Sequence, residues 1–205
     1  VILNKSGRHL VHVRESSYKG NGNCRYRLHV GSFPRPIFAV PAGGPEGEPL
    51  TLSVLGDGAG VMEATVTLST ARSAWGPTLP GVSAVHIEDS QGISPTPIFL
   101  RASSLTNVLA AEPDESHDLA TRFTAPAALN GVLEAPGDRD SFRFTAKKGE
   151  RWELKVHARS LRSPLDSVLS VHAANADQIS SNDDDGGPDS KLDFTAPADG
   201  DYVLT

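Results

Sequence analysis

An all-β fold of packed sandwiches is predicted by three features of the sequence: abundant Gly and Pro, stretches in which apolar and polar side chains alternate, and turn-forming clusters at short intervals between them. The 19 Gly and 15 Pro exceed what long helices tolerate, because both residues are costly in a helix interior. The same residues punctuate short strands at little cost. Period-two alternation is the mark of a half-buried strand, and alternating apolar stretches argue against a disordered chain.

The formal charge of −6 at pH 7 makes a nucleic-acid partner a poor expectation, since phosphate binding needs a basic stripe. No run approaches the eighteen or so apolar residues of a membrane span. The chain does not begin with Met, and Val1 opens inside a strand-like pattern, which predicts a piece cut from a longer precursor. Cys24 is the single cysteine, so no disulfide framework is expected within the chain.

Three segments follow one another. In residues 1–33, Gly7–Val13 and Arg25–Val30 alternate: His9, Val11 and Val13 share one face, and Tyr26, Leu28 and Val30 share another. Gly20-Asn21-Gly22-Asn23 lies between them, so the unit reads as a long-looped hairpin. An isolated hairpin is marginal in water and needs a partner sheet. Phe33-Pro34-Arg35-Pro36 is a stiff extended connection. In residues 34–107, strands are predicted at Ile37–Val40, Leu50–Leu55, Ala64–Leu68, Ser83–Ile87 and Ile98–Arg101, with turns at Gly43-Gly44-Pro45, Asp57-Gly58, Gly76-Pro77 and Gly92. Short strands so punctuated favour an immunoglobulin-like sandwich. Trp75 is either a core residue or an exposed aromatic.

Residues 108–205 form the third segment. Asp140–Ala146 places Phe142 and Phe144 inward, with Ser141 and Arg143 outward. In Arg151–Ala158, Trp152, Leu154, Val156 and Ala158 alternate with Glu153, Lys155 and His157. Ser167–His172, Leu192–Ala196 and Asp201–Leu204 continue the pattern, with turns at Lys147–Glu150 and Asp199-Gly200. Ser116–Thr121 is the one helical candidate, a single turn. An internal echo links Ser6-Gly7-Arg8-His9-Leu10-Val11 to Asp199-Gly200-Asp201-Tyr202-Val203-Leu204, each a turn leading into an alternating strand. On that match, residues 1–33 are the tail of one module and the last module lacks its closing hairpin.

The third segment resembles the bacterial pre-peptidase C-terminal (PPC) family. The resemblance is carried by Glu112-Pro113-Asp114-Glu115, Asn130-Gly131-Val132-Leu133, Gly137-Asp138-Arg139-Asp140-Ser141-Phe142-Arg143-Phe144, Ser163-Pro164-Leu165-Asp166-Ser167-Val168-Leu169, Asn182-Asp183-Asp184-Asp185 and Phe194-Thr195-Ala196-Pro197-Ala198-Asp199-Gly200-Asp201-Tyr202. Residues 5–30 look like the closing hairpin of a preceding copy, and the middle segment looks like the IPT/TIG spacers of large exported proteins in planctomycete-like bacteria. The resemblance implies a jelly-roll-like sandwich, a secreted, periplasmic or cell-surface location, and a non-catalytic module of a larger protein. It also implies a structural Ca²⁺ where the entry linker meets the first strands, with Glu112, Asp114, Glu115, Asp138 and Asp140 at the matching positions. Clustered carboxylates suit that ion, which takes six to eight oxygen ligands. Ala110 stands where relatives have the first linker acid and Glu115 where they have Asp, so one ligand of the pattern is missing, and hydrogen bonding of the turn is the simpler role for Asp138 and Asp140.

Other groupings give weaker expectations. Asn182–Asp185 with Asp189 is read as a solvated loop rather than a second calcium site, because its spacing lacks alternate ligands. Asp166 is expected to cap turn amides. Cys24 and His29 fall on opposite faces, so an idle thiol is expected, and His12 and His29 are surface histidines before they are zinc ligands. His-Glu-x-x-His and Gly-x-Ser-x-Gly are both absent from the sequence. The function predicted is a non-enzymatic structural and interaction module whose partners are neighbouring domains of a parent protein. The alternative is a module that binds polysaccharide or fibrous protein and targets an attached enzyme such as a peptidase, with Tyr18, Trp75, Phe99 and Tyr202 as candidate contacts. An unclosed last module also predicts a strand-exchanged homo-oligomer.

Overall fold

The computed structural model describes residues 3, 5–56, 60–69 and 80–205. Among these the regular structure is strand, apart from one 3-10 turn at Arg159–Leu161. The first eight strands are β1 (Phe38–Val40), β2 (Gly43–Gly44), β3 (Pro49–Leu55), β4 (Met62–Thr67), β5 (Val82–Val85), β6 (Glu88–Asp89), β7 (Gly92–Ile93) and β8 (Ile98–Ala102). One sheet runs β1-β3-β4 and a second runs β2-β8-β5, with β6 and β7 a small hairpin. Alternation sends Leu52 and Val54 of β3 and Ile98 and Leu100 of β8 into one core, which Ala39, Leu68 and Ile87 complete.

The remaining strands are β9 (Thr106–Leu109), β10 (Thr121–Arg122), β11 (Ala127–Asn130), β12 (Phe142–Ala146), β13 (Arg151–Lys155), β14 (Leu169–Ala173), β15 (Gln178–Asn182), β16 (Lys191–Thr195) and β17 (Gly200–Leu204). Five of them make a sheet ordered β10-β12-β17-β14-β15; β13 pairs with β16, and β9 pairs in parallel with β11. The shared core takes Phe142, Phe144 and Ala146 from β12, Tyr202 and Leu204 from β17, Val171 from β14, and Leu192 and Phe194 from β16. Phe144 is its hub, with ring centroids of Phe123, Trp152, Phe194 and Tyr202 at 5.6, 4.5, 6.3 and 5.7 Å. The Tyr202 hydroxyl donates to the Ala198 carbonyl at 2.7 Å, which closes the Asp199-Gly200 turn from inside.

The two sandwiches meet through backbone-directed amides. Asn130 Oδ1 accepts from the Ala42 N–H at 2.8 Å, and Asn107 Nδ2 donates to the Gly43 carbonyl at 2.9 Å. The two asparagines also bond to each other at 3.1 Å, and the Arg162 guanidinium lies 4.1 Å from the Phe99 ring centre. β9 crosses the expected 107/108 boundary, because its ladder to β11 ties the connection into the second sandwich.

Several expectations are corrected. Gly7–Val13 and Arg25–Val30 form no ladder: residues 5–33 carry isolated turns, with Leu10, Tyr26 and Val30 exposed at 94%, 72% and 75%. Alternation alone does not hold a hairpin that has no apolar surface to cover its face. Gly43-Gly44 is not a turn but strand β2, beside β8; a Cβ on Gly43 would stand 2.0 Å from the Arg101 carbonyl oxygen, so only glycine permits the approach. Ser116–Thr121 holds one turn hydrogen bond, Leu119 N–H to the Ser116 carbonyl at 3.0 Å, and no helix. Ser141 keeps its outward position but is fully buried, because the linker brings Asp114 over it to accept its N–H. Trp75, Asp57-Gly58 and Gly76-Pro77 lie outside the described residues.

Replacing Phe144 with Ala removes the ring at the centre of these contacts. The expected loss is about 3–5 kcal/mol, read as a fall in the urea midpoint with no change in the spectrum of the N-terminal sandwich.

Candidate metal centre

The linker after β9 carries Glu112 and Asp114 across the start of β12, where Asp140 ends a turn that begins at Glu134. One carboxylate oxygen from each of Glu112, Asp114 and Asp140 lies within 4.8 Å of the others. Asp114 is fully buried. Its Oδ2 accepts from the Ser141 N–H at 3.3 Å, while its Oδ1 is buried with no hydrogen-bond partner. Asp140 Oδ1 is in the same condition. Buried carboxylate oxygens without partners are costly, and a cation or a proton is what relieves them.

The electrostatics agree. Burial, reinforced by Asp114, Asp138, Glu112 and Glu134, pushes the Asp140 carboxyl up to about 6. Burial likewise raises Asp114 against the opposing Ser141 hydrogen bond, with Asp138 and Glu115 adding to it. Glu112 is raised by burial and by Asp114, Asp138 and Glu115. All three groups are thus crowded acids with no basic side chain among the causes of their shifts. The backbone is shaped for the crowding: a Cβ on Gly131 would fall 1.6 Å from Asp140 Oδ2, so this position admits no side chain.

Of the five expected site residues, the structure gathers Glu112, Asp114 and Asp140. Asp138 and Glu115 stand on the rim of the adjoining cleft, together with Glu134. Asp138 accepts the Glu134 and Arg139 amides at 2.5 and 2.7 Å, so it holds the turn, as hydrogen bonding alone would have it. Glu134 and Gly131 were missed from sequence. Asn130-Gly131 was visible as a motif, but which acid would approach that glycine was not.

The other groupings resolve as structure. Asp189 accepts the amides of Ala158, Arg159 and Ser160 at 3.1, 2.7 and 3.0 Å, anchoring the 3-10 turn. Burial pushes the Asp189 carboxyl up, but these bonds outweigh it and hold it below the usual range. Asn182 accepts from the Lys191 N–H at 3.1 Å, while Asp183, Asp184 and Asp185 face solvent. Asp166 caps no amide; it pairs with Arg159 at 3.2 Å, and Ser163 serves the turn instead. No ladder brings His12 and His29 together, and Cys24 is an exposed free thiol. Among the aromatic candidates Tyr202 is core, Phe99 lies under Arg162, and Tyr18 is exposed beside Arg14, so the described residues show no shared aromatic face.

A five-stranded sheet sharing one core with the β13–β16 ladder, entered by an acidic linker, defines a β-sandwich module. Residues 138–205 match the model of the bacterial pre-peptidase C-terminal domain. A probable subtilase-type serine protease of Deinococcus radiodurans is 43% identical over 74 residues, which is 36% of this chain and 10% of the relative. The chain therefore spans a small part of that protein's length. The family match begins at Asp138, so Asp138 and Asp140 fall inside it, and Glu112, Asp114 and Glu115 precede it.

The raised acid gives a signed pH dependence. The folded-state value of Asp140 lies above its ordinary 3.8, so its contribution to stability is fully present below that value and is lost as pH rises through about 6. In chelator, thermal stability is expected to fall by about 1–3 kcal/mol across this window. Asp140→Asn is expected to remove most of the fall, which comparing melting curves of the two proteins from pH 4 to pH 7 will check.

Proposed function

We propose that the chain is a non-catalytic, extracellular structural and interaction part of a larger exported protein, in which a divalent cation fastens the entry linker to the C-terminal sandwich. The N-terminal sandwich is a spacer, joined to the second by Asn107 and Asn130. The observation that carries the cation is the buried Asp114 Oδ1, unpartnered and beside the unpartnered Asp140 Oδ1. A hard oxygen-only donor set points to Ca²⁺ before a softer ion. Glu112, Asp114 and Asp140 would hold it, and Glu115, Asp138 and Glu134 would supply charge from the rim. With Ala at 110, these carboxylates are a short set for an ion that takes six or more oxygens, so affinity is set at the weak, extracellular end of the range.

Support for an accessory role comes from the family match and from a relative described as a protease, of which the matching stretch is a tenth. No helix of the described residues is long and apolar enough to cross a membrane.

Titration calorimetry and melting curves with Ca²⁺ test this. Millimolar Ca²⁺ at pH 7 is expected to raise the melting temperature, and at a concentration of about one hundred times Kd it would add about 2.7 kcal/mol. Asp114→Asn combined with Asp140→Asn should abolish the rise while leaving a folded protein in chelator. Heat of binding absent from the wild type at millimolar Ca²⁺ would defeat the cation assignment. Peptidase activity in the isolated chain would defeat the accessory one.

A further inference from the structure

We propose that the C-terminal sandwich takes one more strand at the free edge of β13, and that residues 24–30 of a second copy of this chain supply it.

The acceptor is a strand with one side unpaired. β13 is hydrogen-bonded only to β16, in the register Trp152↔Phe194 and Leu154↔Leu192. Beyond the ladder, Val156 N–H bonds the Ser190 carbonyl, and Ala196 N–H bonds the Glu150 carbonyl. In an antiparallel pair such bonds recur at every second residue. Trp152 and Leu154 therefore turn their peptide groups to β16, and Arg151, Glu153 and Lys155 turn theirs outward. The five-stranded sheet is thus faced by two separate two-stranded ladders, β13–β16 and β9–β11, rather than by one continuous layer. Trp152 and Leu154 are only half-buried at this edge, and the buried Trp152 Nε1 donor has no acceptor. An unpaired edge beside half-covered core residues is what strand addition uses.

The donor is an alternating run that pairs with no strand among the described residues. Tyr26, Leu28 and Val30 lie on one side of an alternating run and are 72%, 51% and 75% exposed, with Arg25, Arg27 and His29 between them. Seated at the edge, the three apolar side chains would lie beside Trp152 and Leu154, and the basic ones would lie outward with Arg151, Glu153 and Lys155. Net charge draws the segment to the module at long range, although Arg151 and Lys155 of the edge itself share the segment's sign. Residues 1–33 hold six basic side chains against one acidic, whereas residues 108–205 hold 18 acidic against 10 basic. The segment and the module attract each other at long range, while two segments or two modules repel. The contact is head-to-tail, so one surface of each copy gives and another receives.

Sedimentation and light scattering of the whole chain, with reductant to silence the exposed Cys24, test the idea from low to high micromolar concentration. The wild type is expected to gain mass with concentration. Leu28→Lys with Val30→Lys spoils the donor at two side chains that are 51% and 75% exposed. Glu153→Pro spoils the acceptor, since that N–H faces away from β16 and proline is tolerated at an open edge. Each variant should weaken association at least about tenfold, the worth of one buried aliphatic side chain. An equimolar mixture of the two should recover a dimer and nothing larger. As a second measurement, a peptide of residues 22–33 with Cys24→Ser should shift Trp152 emission in a Trp75→Phe background, and a scrambled peptide should not. A strict monomer throughout, association that survives both variants, or an equal response to the scrambled peptide would each overturn the proposal.

Discussion

The C-terminal half is organised around a carboxylate with nowhere to put its charge. Asp114 is drawn fully out of water by the linker that carries it and receives one backbone hydrogen bond, from Ser141. Through that bond the linker is laid against β12, and through β12 it reaches the aromatic core at Phe144. The arrangement stands only if the remaining oxygens of Asp114 and Asp140 are compensated, because isolated buried charge outweighs what one hydrogen bond returns. The module's burial cost and its pH response therefore converge on one spot.

The same spot lies next to the joint between the sandwiches. Ala110 donates to the Asn130 carbonyl at 2.8 Å, and Asn130 reaches Ala42 in the first sandwich. Gly131, the next residue, is the one whose bareness lets Asp140 approach. Linker, joint and acid cluster thus share a few consecutive residues of β9 and β11. The two sandwiches are joined by part-buried asparagine side chains that bond backbone groups of the first sandwich.

Two charge populations divide the chain. The acidic sandwich gives several carboxylates structural partners: Asp189 and Asp138 hold backbone amides of the 3-10 turn and of the turn before β12, and Asp201 sits between the Thr145 and Arg122 side chains at 2.7 and 3.3 Å. At the Asp114 cluster, by contrast, Asp114 Oδ1 and Asp140 Oδ1 are buried without a partner. The basic first segment is the opposite case, with alternating apolar side chains left in water and no sheet beneath them.

Sequence by itself determined the strands whose pattern is self-contained. Pro49–Leu55, Phe142–Ala146, Arg151–Lys155 and Gly200–Leu204 fall where alternation and Gly-bearing turns put them, because a period of two reports which side chains face a core wherever that core is. The family resemblance pointed to five acids, Glu112, Asp114, Glu115, Asp138 and Asp140, of which Glu112, Asp114 and Asp140 meet. What the sequence did not determine is anything that needs a partner distant in the chain. Arg25–Val30 has the same alternation as β13 and yet pairs with nothing, and Gly43-Gly44 looks like a turn and is a strand. Ser141 sits at an outward position and is buried beneath a linker from 27 residues earlier. Tertiary structure decided these cases, because burial and pairing belong to two surfaces at once, and a local pattern describes only one of them.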